Sequence, residues 1–360
     1  MRAVHQVLPA FVGGDAIGNF AVQIQRTLLS FGFDSRIYAR SVEPAQLGRA
    51  LPLHLHAAHT RRDDGLMYHH SIGSEALDYV RALPGPRMMI YHNITSGHFV
   101  RAFCPSLANQ LDAGRRALPS LVRVFQAAAT VSGFNAAELV AAGFHGAAVL
   151  PIPVDPLAWR RAPTRDLSVR VAPEQKLFLF VGRLLPHKCP HELIAWFDWY
   201  GREHDPSAML ALVGGFDDRF ESYNRALLAA AKQCGQRVTI TGKLDFAGLV
   251  NLYRRADVFV SFSEHEGFMV PLLEAMATDT PVLAYDIPAV RETLGPAGVR
   301  CEVKSWSAIG ELAWLLTHDE ELRRHVLARQ RERLAAFSVE RFRTALAAMI
   351  ESWWNGSRRP

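Results

Sequence analysis

The chain has 360 residues, enough for two domains at the usual ~150 residues each. Its composition, 49% hydrophobic, 21% charged and 10% aromatic, is that of a globular protein and excludes long disorder. With 40 Lys and Arg against 35 Asp and Glu the formal charge is +5, which suits an anionic small ligand or an acidic membrane face and falls short of the basic footprint of a nucleic-acid binder. Cys104, Cys189, Cys234 and Cys301 form no C-x-x-C pair, which excludes a disulfide framework or zinc ribbon and reads as reduced thiols. The start, MRAVHQVLPAFVGG, has one Arg and a broken apolar run, unlike a signal peptide. No stretch reaches the ~18 apolar residues of a membrane span. The expectation is a soluble, cytoplasmic protein.

Short β-rich runs alternate with helical ones along the chain. In the first half the pattern predicts strands over residues 4–11, 35–39, 65–70, 87–92, 126–131 and 147–152, with helices over 17–31, 74–82, 97–124 and 135–142. Runs such as MMIY and LFLFV are continuously apolar, as in parallel strands covered on both faces. Around 151–173 five prolines and several arginines interrupt the pattern, which suits an interdomain linker. The alternation restarts with KLFLFVGR, AMLALVGG, RVTITGK, VFVSFSE, PVLAYD and GVRCE, and residues 305–354 are almost wholly helical. The predicted class is α/β: two Rossmann-like, doubly wound parallel sheets facing a cleft. The first domain spans 1–165 and is completed by a final helix at 338–360; the second spans 174–337.

Ligands of such sheets sit at the carboxyl ends of strands, so chemistry is sought just after each strand. The segment SEHEGFMVPLLEAMATDTPVLAYD follows VFVSF and is read as opening a helix at about Phe268. Gly267 permits close backbone approach, and Pro271 is tolerated in a first turn. The N–H groups of Phe268, Met269 and Val270 at the positive helix end would form an anion site suited to a diphosphate. Glu266 and Glu274 flank it and can accept hydrogen bonds from vicinal hydroxyls, a sugar on one side and a ribose on the other. The bland alternative is a solvated loop with two surface glutamates. In VGRLLPHK, Arg183 and Lys188 end another buried strand. They read as two solvated cations or, beside the glutamates, as the neutralising partners of a diphosphate.

The order VGR-x-x-x-x-K, ITGK, SEHEGF-x-x-P-L-L-E-A-M-A and then PV resembles the retaining GT-B glycosyltransferases of family 4, glycosyl transferases group 1. The resemblance in motifs runs from Val181 to about Thr293, and in architecture over the whole chain. It implies that Glu266 contacts donor-sugar hydroxyls, Glu274 the nucleotide ribose, and Arg183 with Lys188 the diphosphate. The family usually has Gly after the lysine, where this chain has Cys189 and Pro190; Pro190 can start a helix, so a small local change is expected. In GGDAIGN the resemblance implies that Gly14 reaches the diphosphate and that Asp15 or Asn19 binds acceptor hydroxyls. This segment resembles bacterial lipopolysaccharide and exopolysaccharide transferases, many of them mannosyltransferases. It implies, too, that His92 points at the donor sugar, that Ser132 lies near the cleft and that Lys243 borders the nucleobase. The Gly-Gly turn, His92 and Ser132 also have plain structural readings: a turn, a satisfied core histidine, a helix start.

His54, His56 and His59, with His69 and His70, have the ligand type for a metal but no completing carboxylate or Cys spacing, and read as structural. Asp63–Asp64 and Asp217–Asp218 lack a D-x-D arrangement, so no metal and no cofactor is expected beside the nucleotide-diphosphate sugar itself. Arg101, Arg115, Arg116 and Arg123 among apolar residues of 98–124, with the tail WWNGSRRP, read either as a surface for peripheral contact with the inner membrane or as an ordinary half-exposed helix. The resulting expectation is a metal-independent hexosyltransferase, mannose from GDP-mannose first and UDP-hexoses next, acting on a glycan or polyprenol-linked acceptor. Its rivals are a phosphorylase or epimerase, and a nucleotide-sugar-binding scaffold without turnover. Nucleic acid is the least fitting partner.

Overall fold

The structure, a computed structural model, describes residues 2–165, 169 and 171–356. It divides into two compact units, one of residues 1–97, 106–152 and 339–360, the other of 98–105 and 153–338. The first unit is built on strands β1 (Val4–Phe11), β2 (Ile37–Val42), β3 (Leu51–Pro52), β4 (Gly65–His70), β5 (Arg87–Tyr91), β6 (Ala127–Thr130) and β7 (Ala148–Val149). The second is built on β8 (Leu177–Val181), β9 (Met209–Val213), β10 (Val238–Gly242), β11 (Val258–Ser261), β12 (Val282–Tyr285) and β13 (Val299–Cys301).

Both sheets are parallel. The orders are β3-β2-β1-β4-β5-β6-β7 and β10-β9-β8-β11-β12-β13. Each winds outward from a central strand, then restarts on its other side. Strand order therefore reverses between β1 and β4 and between β8 and β11, and crevices open there at the carboxyl ends. The continuous apolar runs have the expected cause: β4, β9 and β11 are buried at every residue, since helices cover both faces. The second core joins Phe178, Phe180, Trp196, Phe197 and Tyr200.

Several sequence expectations are corrected. The strand over 35–39 runs instead over Ile37–Val42, and the one over 147–152 shrinks to Ala148–Val149. The helix over 97–124 is a short turn, Gly97–Phe99, followed by a helix from Pro105 to Leu121. Proline at a first helical position ends any continuous run there, and residues 98–105 join the second unit. That helix buries Leu107, Leu111, Leu118 and Leu121, an ordinary half-exposed pattern. The unit changes at residue 153, before the linker's prolines end, because the helix Pro156–Arg161 lays Trp159 edge-on to Phe246 and Tyr253.

The helix Val339–Gly356 belongs to the first unit. Phe342 meets Phe20, and the Arg343 guanidinium donates to Ser30 Oγ at 2.8 Å. Trp353 and Trp354 are buried against Gly65, where an added Cβ would lie 2.9 and 2.8 Å from their rings. These indoles fill a core; residues 357–360, the rest of that tail, lie outside the described residues. Among the described residues no helix is long and apolar enough to cross a membrane.

Candidate functional site

At the second unit's switch point two loops meet. After β8 the chain makes the turn Pro186–Lys188; after β11 it runs through Glu264–Met269 into the helix Val270–Ala277. A backbone bond from Glu264 N to the His187 carbonyl, 2.8 Å, ties the loops together. Across them the Lys188 ammonium meets Glu266 Oε1 at 2.5 Å, with the side chains only 16% and 11% exposed. Arg183 donates to Asp217 Oδ2 at 2.6 Å while its side chain stays 51% exposed. The two cations and Glu266 singled out in the sequence thus lie on the loops of one crevice, Arg183 held by Asp217 and Lys188 by Glu266.

Two non-glycine residues of these loops adopt left-handed backbone, Cys189 at φ 51° and Met269 at φ 68°. Such strain, on the order of 1–3 kcal/mol, persists where surroundings over-determine the chain and gathers at functional sites. Cys189 accounts for the departure noted in the motif: the position demands a conformation that glycine adopts freely, and Pro190 then opens the helix Pro190–Glu203. Met269 corrects the expected helix start. The helix begins at Val270, not Phe268, and Phe268 and Met269 are buried, with the Phe268 carbonyl accepting from Thr293 Oγ1. The first-turn N–H groups from Val270 onward remain the positive end of the dipole.

Glu274 sits in that helix with Oε2 accepting from the Tyr253 hydroxyl at 2.8 Å. Burial pushes its carboxyl up to about 7, against the opposing effect of the Tyr253 hydrogen bond. Tyr253 is fully buried and also reaches the Pro271 carbonyl at 3.3 Å. It fixes one carboxyl oxygen, Oε2.

Sequence reasoning missed Tyr253, and it weighed Asp217 only as half of an absent D-x-D arrangement. Asp217 is 8% exposed and receives Arg183 and Arg219 together. The Arg219 hydrogen bonds, first among the causes, hold its carboxyl below the ordinary range. Gly214 was missed too. A Cβ there would lie 1.8 Å from the Gly182 carbonyl oxygen and 3.3 Å from Arg183 N. Gly214→Ala is therefore expected to cost about 2–4 kcal/mol by forcing the β8 loop aside, read as a fall in the denaturation midpoint. Lys243, after β10, is exposed and lies over Gly215.

In the first unit, Gly14 follows β1 with φ 74°, a left-handed turn that glycine permits. Asp15 caps the next helix, Ala16–Ser30, its Oδ2 accepting from Ile17 and Gly18 N–H at 3.2 and 3.3 Å. That is a structural task the sequence reading did not assign. Asn19 is exposed on the same helix. Ser132 caps the helix Gly133–Ala141. His92, just past β5, is 9% exposed and bonds His69 Nδ1 through Nε2 at 2.8 Å. Burial depresses its pKa to about 3, so it is a neutral imidazole. Beside it, Asn93 is again left-handed, φ 72°.

The histidine cluster disperses. His56 is buried against the Tyr79 hydroxyl, whereas His54 and His59 are exposed. Among the described residues Cys189, Glu192 and Glu264 are the group spaced to hold a metal. Lys304 already bridges their carboxylates at 2.5 and 2.8 Å, and burial pushes the Cys189 thiol up to about 12, so this set is neutralised by an ammonium.

The family described as Glycosyl transferases group 1 matches residues 166–333. The O-antigen chain mannosyltransferase RfbU of Salmonella typhimurium is 32% identical over 142 residues, 38% of this chain and 37% of that protein. The chain thus spans little more than a third of that curated relative. Anabaena Alr3699/HepE in complex with UDP and glucose is similar in fold, with TM-score 0.78 at 15% identity over 98% of this chain and 100% of that one. The sucrose-phosphate synthase of Thermosynechococcus elongatus gives 0.75 at 16%, over 99% and 100%. Residues 166–333 thus match the glycosyl transferases group 1 family, and the chain has a GT-B, α/β fold of two Rossmann-like units.

Proposed function

We propose that the protein is a glycosyltransferase that moves a hexose from a nucleotide-diphosphate sugar to a hydroxyl of a glycan or polyprenol-linked acceptor, with retention and without a metal. The observation that carries this reading is the meeting of Lys188 and Glu266 at the switch point between β8 and β11, with Arg183 on the same loop and a helix N-terminus beside Glu266. In the free protein each cation is neutralised by a carboxylate. An incoming diphosphate takes the place of those carboxylates on Arg183 and Lys188, which releases Glu266 to accept hydroxyls of the sugar. Glu274 Oε1 accepts from the ribose. Lys243 borders the base, and Gly14, Asp15, Asn19 and His92 are the first unit's own candidates for substrate contact.

During transfer the bond from the anomeric carbon to the phosphate oxygen breaks and its electron pair stays on the diphosphate. Arg183, Lys188 and the helix end stabilise that charge where it grows. The acceptor oxygen bonds the anomeric carbon on the face the phosphate leaves, and the leaving phosphate oxygen takes the acceptor's proton. No protein nucleophile is required. GDP-mannose is the first donor to test, in keeping with the mannosyltransferase relative, and UDP-glucose the second, in keeping with the UDP-bound fold relative. Cell-surface polysaccharide synthesis at the cytoplasmic face of the membrane is the setting that fits such acceptors. Nucleotide release from each donor in EDTA, with the anomeric configuration of the product read by NMR, tests the proposal. Absence of release from any nucleotide sugar by protein that binds nucleotide would instead support a binding scaffold.

A further inference from the structure

Lys304 follows β13, at one edge of the second sheet, yet its ammonium meets the loops of strands further in. It donates to Glu192 Oε2 at 2.5 Å and to Glu264 Oε1 at 2.8 Å, and it lies 4.9 Å from the centre of the Tyr285 ring. Glu192 stands in the first turn of the helix Pro190–Glu203 that follows β8, Glu264 in the loop after β11, and Tyr285 ends β12. In the sheet order β8-β11-β12-β13, one side chain therefore gathers the carboxyl ends of four adjacent strands. That side chain is only 17% exposed, so its bonds are less screened than those of a surface pair. The clamp bears on both loops of the proposed site. The Glu264 N–H donates to the His187 carbonyl at 2.8 Å; Glu264 lies two residues before Glu266, and His187 one before Lys188. Next in the chain, Cys189 holds left-handed backbone, a state its surroundings must impose. One oxygen each of Glu192 and Glu264 and the Cys189 sulfur lie within 4.8 Å of one another. Two carboxylates so close repel. With Lys304 between them the repulsion becomes a bridge.

We infer that Lys304 is a positioning residue: as an internal counter-cation it holds the loops after β8 and β11 together, and with them the Lys188–Glu266 pair, in the arrangement that receives the diphosphate. This rests on the role of that pair in the proposed function. Lys304 acts through Glu192 and Glu264 rather than on the substrate. It stands where a divalent ion would stand among one thiol and two carboxylates, donor types that zinc accepts. A zinc ion can therefore take over its task in a variant that lacks the ammonium.

Calorimetric titration with GDP and UDP, on the full chain, compares the wild type with Lys304→Ala. The variant is expected to bind the preferred nucleotide about tenfold more weakly, within the usual range of coupling between contacting residues. One equivalent of Zn2+ should restore its affinity and leave that of the wild type unchanged. Lys304→Ala with Cys189→Gly, a residue that suits the left-handed backbone, lacks one ligand and should lose the rescue. Co2+ in place of Zn2+ reads the geometry directly. Lys304→Ala should gain a thiolate-to-cobalt charge-transfer band that neither the wild type nor the double variant shows. Unchanged nucleotide affinity in Lys304→Ala would overturn the inference. So would a bound metal that stabilises the variant without restoring affinity, since Lys304 would then be a structural ion pair alone. Absence of the cobalt band would show that the three ligands do not converge, and would overturn it too. Should Lys304→Ala fail to fold, Glu264→Gln keeps the shape and weakens one arm of the bridge. Its affinity should fall about threefold, and an unchanged value would count against the inference equally. Failure of the proposed function would appear instead as a wild type that binds no nucleotide, an outcome on which the cobalt spectrum does not depend.

Discussion

Lys188→Ala is expected to lower nucleotide release from the donor about 10²–10³-fold, the usual cost of deleting one preorganised group that meets developing charge. Two effects add. The ammonium no longer meets the diphosphate, and Glu266, only 11% exposed and paired in the wild type at 2.5 Å, is left as an unpartnered carboxylate facing an incoming anion. The second effect separates by a double-mutant cycle. Lys188→Ala with Glu266→Ala should bind free nucleotide diphosphate more tightly than Lys188→Ala alone, because the repelling charge has gone, while its transfer stays as low or lower. Equal affinities for the single and double variants, measured by calorimetry, would show that Glu266 does not face the diphosphate.

The second large effect belongs to Glu274. Glu274→Leu removes the acceptor of the ribose hydroxyls and leaves the Tyr253 hydroxyl without its partner; nucleotide affinity should fall about 10–100-fold. The pH dependence follows from the same carboxyl. Its pKa in the free folded protein is raised to about 7 by burial, and a bound ribose favours the ionised, accepting form. Binding then releases a proton below pH 7, so affinity should rise by up to tenfold per unit as pH climbs toward 7 and level off above it. Stability has the opposite sign. The folded state holds this proton where the unfolded chain has lost it, so the contribution is fully present at low pH and is lost as pH rises through about 7. Titrations in buffers of different ionisation enthalpy check the proton release; a flat affinity across this range would remove Glu274 from the nucleotide.

What was legible in the sequence was whatever is written locally. Continuous apolar runs announced buried parallel strands, and the Glu266–Glu274 spacing with the VGR-x-x-x-x-K motif announced the crevice between β8 and β11. The partners that tune these residues come from afar in the chain. Asp217 is 34 residues from Arg183, and Tyr253 is 21 from Glu274. No spacing rule reaches across such distances; only the order of strands does. His69 had been grouped with His70 as a metal-ligand type, yet strand pairing turns it toward His92. Met269 shows a different limit: its left-handed backbone delays the helix by two residues, and nothing in SEHEGFMV marks a non-glycine residue for that conformation. Cys189 had a hint, since the resemblance expected glycine at that position.

The central claim is that the β8–β11 crevice is a metal-free nucleotide-diphosphate site. Its most direct test is calorimetric titration of the protein with GDP, UDP and ADP in EDTA, alongside Lys188→Ala. Saturable binding of one nucleotide by the wild type, weakened by the substitution, is the predicted result, and the preferred base narrows the donor to a few sugars. Folded protein that binds none of the three in EDTA, or binds equally well without Lys188, would contradict the account.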